Sequence, residues 1–291
     1  MQWQTSRFSI ELSKPRIMGI VNVTPDSFSD GGLFASRGGA IAHCEKLLKD
    51  GADILDIGGE STRPGAPAVP VEEELARVLP VVRHAVTLGA PVSVDTYKPA
   101  VMRAVLDLGA DIINDIWALR WQGDPNGLNG SAVVSAHPAC GVCLMHMHRE
   151  PRTMQLAPME GDVLAQVAVL LRALALQLQN TGVAANRICL DPGIGFGKTV
   201  HQNFSLLARQ AELLPLGYPL LAGWSRKSSL AAVTQNSLAS VASMDVGERM
   251  VPSVVAAVIA VQNGASIVRV HDVKQTLQAL KVLAATQSVG H

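Results

Sequence analysis

The sequence predicts an α/β protein built as a (β/α)8 TIM barrel: a single domain over residues 1–291, its core at about 15–285, with a short N-terminal strand or hairpin extension. Three observations carry this reading. Eight short apolar runs are each followed by a helical pattern, at a spacing of roughly 30 residues. Hydrophobic content is 48% against 16% charged and 4% aromatic, the aliphatic core that a helix-covered parallel sheet needs. No linker, charge run or low-complexity tract divides the chain. A doubly wound open sheet is the alternative, and the count of eight argues against it.

The elements follow in order. Residues 1–14 alternate polar and apolar, as a short strand or hairpin that plugs one barrel end. Ile17 to Asn22 is the first core strand, and the turn formers of VTPDSFSDGGLF make a long loop before a helix over Ala40 to Lys49, stopped at Gly51. Ile54 to Ile57 is the second strand and 58–69 its loop. A helix over Val71 to Leu88 has three glutamates at its start, where the helix dipole favours them. Strand Pro91 to Asp95, helix Pro99 to Leu108 and strand Asp111 to Asn114 precede a loop over 117–131. A short helix at Ala132 to His137, strand Val142 to Met145 and a long helix over Glu160 to Asn180 come next. Strand Arg187 to Leu190, helix Asn203 to Leu214 and strand Pro219 to Ala222 lead through a stretch without an assigned element to helix Gly247 to Gln262. Strand Ser266 to Val270 and helix Asp272 to Ala284 complete the eighth unit.

Composition also bounds the partners. Lys and Arg total 24 against 24 Asp and Glu, so no basic field points to nucleic acid or a membrane surface. The run Val251 to Val261 is too short to span a bilayer, and the first residues lack a signal-peptide core, so a soluble cytoplasmic protein is expected. Cys140 and Cys143 form a CxxC with no second pair; with Cys44 and Cys189 they read as small structural thiols.

In such a barrel the active site lies where the strands end. Those positions here are Asn22, Glu60 to Arg63, Asp95, Asn114, Met145 and His146, Asp191, Ser225 to Ser228, and Arg269 to Asp272. Carboxylates and amides at the ends of apolar runs need partners. Asp95, Asn114, Asp191 and Lys227 suit a flat heterocycle with several N–H donors and ring acceptors, such as a guanidine-bearing pterin or a purine. Arg63, Lys227, Arg269 and His271 suit phosphate or pyrophosphate. Asn22, with nearby Asp26, offers oxygen ligands of the kind that hold magnesium on a phosphorylated substrate.

These segments carry a resemblance. IMGIVNVTPDSFSDGG (17–32), DIGGESTRPGA (56–66), SVDTYKP (93–99), INDI (113–116), LDPGIGFGKT (190–199), SRKS (225–228) and VRVHDV (268–273) closely resemble dihydropteroate synthase, in order and without a missing segment. The resemblance implies a (β/α)8 barrel that condenses 6-hydroxymethyl-7,8-dihydropterin diphosphate with 4-aminobenzoate, giving 7,8-dihydropteroate and pyrophosphate in folate biosynthesis. It implies Mg2+ as cofactor, inhibition by sulfonamides that compete with 4-aminobenzoate, and a homodimer formed through the late helices.

By position, it implies that Asp95, Asn114, Asp191, Lys227, Arg269 and Met145 hold the pterin. Asn22, Thr62, Arg63, Arg269 and His271 hold the diphosphate, with Asn22 also at the metal. Phe28, Thr62, Pro64, Phe196 and Ser228 shape the aminobenzoate pocket, and loops 23–37 and 59–70 close over it. Asp95, Asp191, Lys227 and Arg63 are the expected catalytic residues.

Three segments depart from the family pattern. Residues 116–131 are long and bear Trp117 and Trp121, read as rim packing, with Trp117 also placed to line the pterin pocket. His148-Arg149-Glu150 replaces a commoner Gln-Gly pair; His146 and His148 alternate and so face opposite sides. Ser229 stands where a bulky residue is usual and is expected to alter the pocket edge. Asp56 reads as a structural carboxylate; His43, His84, His137 and His201 read as solvent or helix-face residues; Arg187 carries no site argument. Two rival functions stand beside the synthase: a pterin-binding methyltransferase domain and a catalytically inactive paralogue.

Overall fold

The computed structural model describes residues 1–24, 32–62, 65–124, 126–151, 153–234 and 246–288. Asp26, Phe28, Arg63 and Pro64 lie outside the described residues. Eight parallel strands form one sheet: β3 (Arg16–Asn22), β4 (Ile54–Gly58), β5 (Val92–Asp95), β6 (Ile112–Asp115), β7 (Gly141–Met145), β8 (Ile188–Asp191), β9 (Leu221–Ala222) and β10 (Ile267–Val270). Their order is β8-β7-β6-β5-β4-β3-β10-β9, and a parallel bridge between Leu190 and Leu220 joins the two outer strands into a barrel. The eight strands lie where the apolar runs placed them, to within two residues at each end. Just before β9, Leu220 makes the closing bridge and its carbonyl accepts from Ser266 and Ile267.

Around the barrel run α1 (Gly32–Asp50), α2 (Val71–Ala85), α3 (Pro99–Asp107), α4 (Gly130–Ala136), α5 (Val163–Asn180), α6 (Val200–Ala208), α7 (Ser228–Thr234), α8 (Met250–Gln262) and α9 (Val273–Ser288). Seven differ from expectation by three residues or more: α2 ends three residues early, α8 starts three late and α9 runs four further, and the other four differ for identifiable reasons. α1 starts eight residues before Ala40, through Gly38 and Gly39, so tertiary packing overrides weak local propensity. α5 starts at Val163 because the Asp162 carboxylate caps the amides of Leu164 and Ala165. α6 is shorter: Thr199 and Gln202 form a capping box at its start, and a 3-10 turn over Gln210–Leu216 replaces its expected end. α7 was expected to be without an element; at seven residues it is too short for periodicity to reveal.

Period two along the strands sorts the core into layers. Outward residues such as Val21, Leu55, Val94, Ile113, Leu144, Leu190 and Val268 pack with the helices. Inward residues Met18, Ile54, Ile112, Cys143, Cys189, Leu221 and Ile267 form a separate cluster at the barrel floor, and Trp3 and Ile10 complete it. Those two belong to the antiparallel hairpin of β1 (Gln2–Gln4) and β2 (Ser9–Glu11), the expected plug, where Trp3 stands opposite Ile10. The Trp3 indole donates to the Arg187 carbonyl at 2.9 Å.

The four cysteines are free and buried, and burial pushes the Cys44 thiol up to about 12, the behaviour of inert packing residues. Arg187 is a buried brace, donating to the carbonyls of Val134, His137 and Cys140. Among the described residues α5 has the length and apolarity of a membrane span, yet Val163, Val167, Leu171, Ala175 and Leu178 on it are buried in the barrel's coat.

Candidate active site

The alternation that puts Ile54, Ile112, Cys143, Cys189 and Ile267 on the floor puts the residue two positions later into the mouth. Those residues are Asp56, Asn114, Met145, Asp191 and Arg269; Asn22 and Asp95 reach the same end on β3 and β5. In register, Asp95 stands beside Asn114 and Met145 beside Asp191. Of the strand-end residues expected from sequence, Asn22, Asp95, Asn114, Met145, Asp191 and Arg269 thus open at one end of the barrel.

Charge is balanced inside that opening. Arg269 donates through Nε to Asp56 Oδ2 at 2.6 Å and through Nη2 to Asp95 Oδ2 at 2.8 Å. Burial works against its guanidinium, but Asp56 and Asp95 outweigh that and hold its pKa above the ordinary value. Asp56, fully buried, also accepts from Asn114 Nδ2 at 3.2 Å. It is thus the carboxylate that aims both Arg269 and Asn114. Sequence gave it a structural role without naming these partners.

Burial pushes Asp95 up to about 7, with Arg269 opposing, and pushes Lys227 down to about 8, with Asp191 opposing. Asp191 is also raised by burial, against an amide from Gly193 at 2.7 Å and the nearby Lys227. A site whose acid and base sit this close to neutrality can hold or release charge as a ligand arrives. The Lys227 ammonium lies 4.3 Å from the centroid of the buried Phe196 ring.

The turn after β8 is built for this placement. Gly193 has φ +69°, and a side chain there would put Cβ 1.8 Å from the His146 carbonyl oxygen, so only glycine fits. Beneath the turn lies Lys198, buried and unassigned from sequence. Its ammonium reaches His146 Nδ1 at 3.0 Å and the carbonyls of Gly193 and Phe196 at 2.8 and 3.2 Å. Burial pushes Lys198 down to about 7; burial and then Lys198 push His146 down to about 2. His146 is a neutral acceptor, whereas His148 is half-buried beside Arg149.

A second brace was missed. Lys98, buried, bonds both Glu60 and Glu74; Tyr97 donates to Glu60 at 2.9 Å, and Arg77 donates to the Gly59 carbonyl at 2.7 Å. This network anchors the strand-to-loop exit that carries Thr62, itself half-buried. Trp117 packs with Ile116, Met145, Met147, Met154, Phe196 and Tyr97, and Trp121 meets Tyr97 edge-on at 5.2 Å. Trp117 thus adds to the apolar wall of Met145 and Phe196, and Trp121 backs it through Tyr97.

His271 is held by Ser225, whose Oγ lies 2.9 Å from His271 Nδ1 and accepts the His271 amide at 3.1 Å. Ser228 is exposed at the first position of α7. Ser229, expected to alter the pocket edge, is buried and accepts from Asn203 at 3.0 Å, tying α7 to α6. Its hydroxyl holds the Asn203 side chain, which in turn accepts the Gly195 amide at 2.8 Å.

Comparison with known proteins meets this geometry. A family model described as pterin binding enzyme matches residues 18–271, from the first barrel strand to the histidine after the last. This chain belongs to the dihydropteroate synthase family. A dihydropteroate synthase of Neisseria meningitidis serogroup C is 48% identical over 286 residues, covering 97% of this chain and 96% of that one. The crystal structure of Burkholderia cenocepacia dihydropteroate synthase with 7,8-dihydropteroate is 46% identical, covers 99% of this chain and 97% of that one, and superposes with a TM-score of 0.85. A Yersinia pestis dihydropteroate synthase solved as a sulfonamide drug complex is 40% identical, covers 99% and 100%, and has a TM-score of 0.89. Synthase barrels of this kind thus cover nearly the whole length of the chain.

Proposed function

We propose that this chain condenses 6-hydroxymethyl-7,8-dihydropterin diphosphate with 4-aminobenzoate, releasing 7,8-dihydropteroate and pyrophosphate: a transferase of folate biosynthesis and a target of sulfonamides. The observation that carries it is the convergence of Asp95, Asn114, Asp191, Lys227 and Arg269 at one barrel mouth, in a chain whose Burkholderia relative holds 7,8-dihydropteroate. Asp95, Asn114 and Asp191 accept and share the N–H groups of the pterin, Lys227 meets a ring acceptor, and Met145 lies against the ring. His271, Thr62 and Arg63 take the diphosphate, and Arg269 borders both groups. Thr62, Phe196 and Ser228, with Phe28 and Pro64, line the aminobenzoate side, as the family resemblance implies.

The chemistry follows from charge. A diphosphate leaves more readily when fixed cations await its developing charge. The electron-rich pterin shares positive charge from its exocyclic methylene, and Asp95 and Asp191 oppose that charge from the barrel. C–O cleavage then runs ahead of attack, and the weakly basic aromatic amine needs no strong general base. Stereochemical analysis at a labelled methylene tests this: clean inversion under all conditions would count against a dissociative path.

The metal fits the donor set. The Asn22 amide oxygen is a hard ligand at the mouth, and magnesium is commonly held by few protein oxygens together with substrate phosphates. Asn22 would hold Mg2+, which supplies charge neutralisation on the departing diphosphate.

Continuous measurement of pyrophosphate release tests the whole reading. Release is expected only with both substrates and magnesium, and is expected to fall with added sulfonamide. Pterin binding without release would favour an inactive paralogue, and cobalamin-dependent methyl transfer a methyltransferase. The protein is proposed to act in the cytoplasm as a homodimer. Val251, Val255 and Ile259 support the dimer, since they leave an exposed apolar stripe at i, i+4, i+8 on α8. A monomer in sedimentation at micromolar concentration would refute it.

A further inference from the structure

The turn between β9 and α7 contains an outlier. Arg226 has φ +59°, a left-handed backbone that costs an ordinary residue and persists only where its surroundings impose it. It stands between Ser225, which holds His271, and Lys227, which lies over Phe196 and near Asp191. A residue at this junction decides how its two neighbours diverge.

Three contacts fix Arg226. Its amide donates to Ser253 Oγ at 2.8 Å. Its carbonyl accepts from Arg249 Nη1 at 3.1 Å. Its guanidinium pairs with Asp272, Nη2 to Oδ1 at 2.9 Å and Nε to Oδ2 at 3.3 Å. Ser253, itself buried, donates onward to the Arg249 carbonyl at 2.5 Å, so both backbone contacts come from one unit, the start of α8. Asp272 directly follows His271. The clamp therefore ties α8, the β9–α7 turn and the end of β10 together at the point where two ligand-facing side chains emerge.

We propose that Arg226 is a positioning residue: its clamped left-handed backbone aims Lys227 into the pterin site and Ser225 at His271. The proposal rests on the roles given above to Lys227 and His271. A pair of substitutions isolates the backbone. Arg226→Ala and Arg226→Gly both remove the guanidinium, but only glycine adopts φ near +60° without penalty. KM for the pterin diphosphate is expected to be about tenfold higher in Arg226→Ala than in Arg226→Gly, the equivalent of the left-handed cost.

Ser253→Ala supplies the second arm. Removing the acceptor of the Arg226 amide is expected to raise KM for the pterin diphosphate severalfold, and Arg226→Gly in that background to recover most of the loss. Equal KM values for the alanine and glycine variants would overturn the proposal. So would a lower thermal midpoint in Arg226→Ala with KM unchanged, because the turn would then keep its shape without the clamp. If neither Arg226 variant folds, a wild-type KM in Ser253→Ala overturns it. Wild-type pyrophosphate release in the same assay tests the reaction separately, so an inactive wild type would refute that reading and leave the clamp to be judged by binding of 7,8-dihydropteroate to the same variants.

Discussion

Asp95→Asn is expected to lower kcat/KM for the pterin diphosphate by about 10²–10³-fold, the usual cost of removing one preorganised charged partner from a shielded site. The substitution keeps the shape but leaves Arg269 with Asp56 as its only carboxylate in the pair, and removes a negative charge that faces the pterin. The pH profile gives a sharper test. With Asp95 near 7 and Lys227 near 8, wild-type kcat/KM is expected to fall below about pH 7 as Asp95 gains a proton, and above about pH 8 as Lys227 loses one. Asp95→Asn should abolish the acidic limb and retain the basic one. Thermal stability should move the other way from activity. Burial raises the folded-state pKa above the ordinary 3.8, so this group's contribution to stability is present below 3.8 and is lost as pH rises through 7. Asparagine lacks that loss, so the variant should melt no lower than wild type at pH 8. A surviving acidic limb, or a collapse of the midpoint at pH 8, would contradict the assignment of Asp95.

What could be read from sequence has a common physical basis. Asp95, Asn114, Asp191 and Arg269 each end or nearly end an apolar run, and period two with the barrel rule places them in the mouth without knowledge of any contact. Contacts between distant segments were not readable. Asp56 and Arg269 are 213 residues apart, and nothing local in DILDIG announces the pair. Lys198 and Lys98 sit in polar, glycine- or proline-flanked segments where lysine normally faces water, yet both are buried because carbonyls or carboxylates surround them. α7 escaped notice because its seven residues offer fewer than two helical turns. Local pattern set the scaffold and the identity of the mouth residues; tertiary pairing set their orientation.

Trp3→Ala is expected to destabilise the fold by about 3–5 kcal/mol, the range for deleting a large buried aromatic side chain, and to lower the thermal midpoint by roughly ten degrees. Trp3 is fully buried on the hairpin and fills the floor formed by inward residues of seven barrel strands. Two of those strands present cysteine there, Cys143 and Cys189, and these short side chains leave the width an indole needs. The indole N–H also satisfies the Arg187 carbonyl beside β8. Trp3→Phe separates the two contributions: it keeps most of the packing and loses the hydrogen bond, so a loss of about 1 kcal/mol is expected. Catalysis should be nearly untouched at 25 °C in both variants, because the hairpin closes the end of the barrel opposite Asp95, Asp191 and Lys227. An alanine variant with a wild-type midpoint would mean that the hairpin merely rests on the barrel. One that loses stability and kcat/KM together would mean that floor packing sets the register of the inward side chains up to the mouth, because Ile54, Ile112, Cys143, Cys189 and Ile267 of the floor are each followed two residues later by a residue of the mouth.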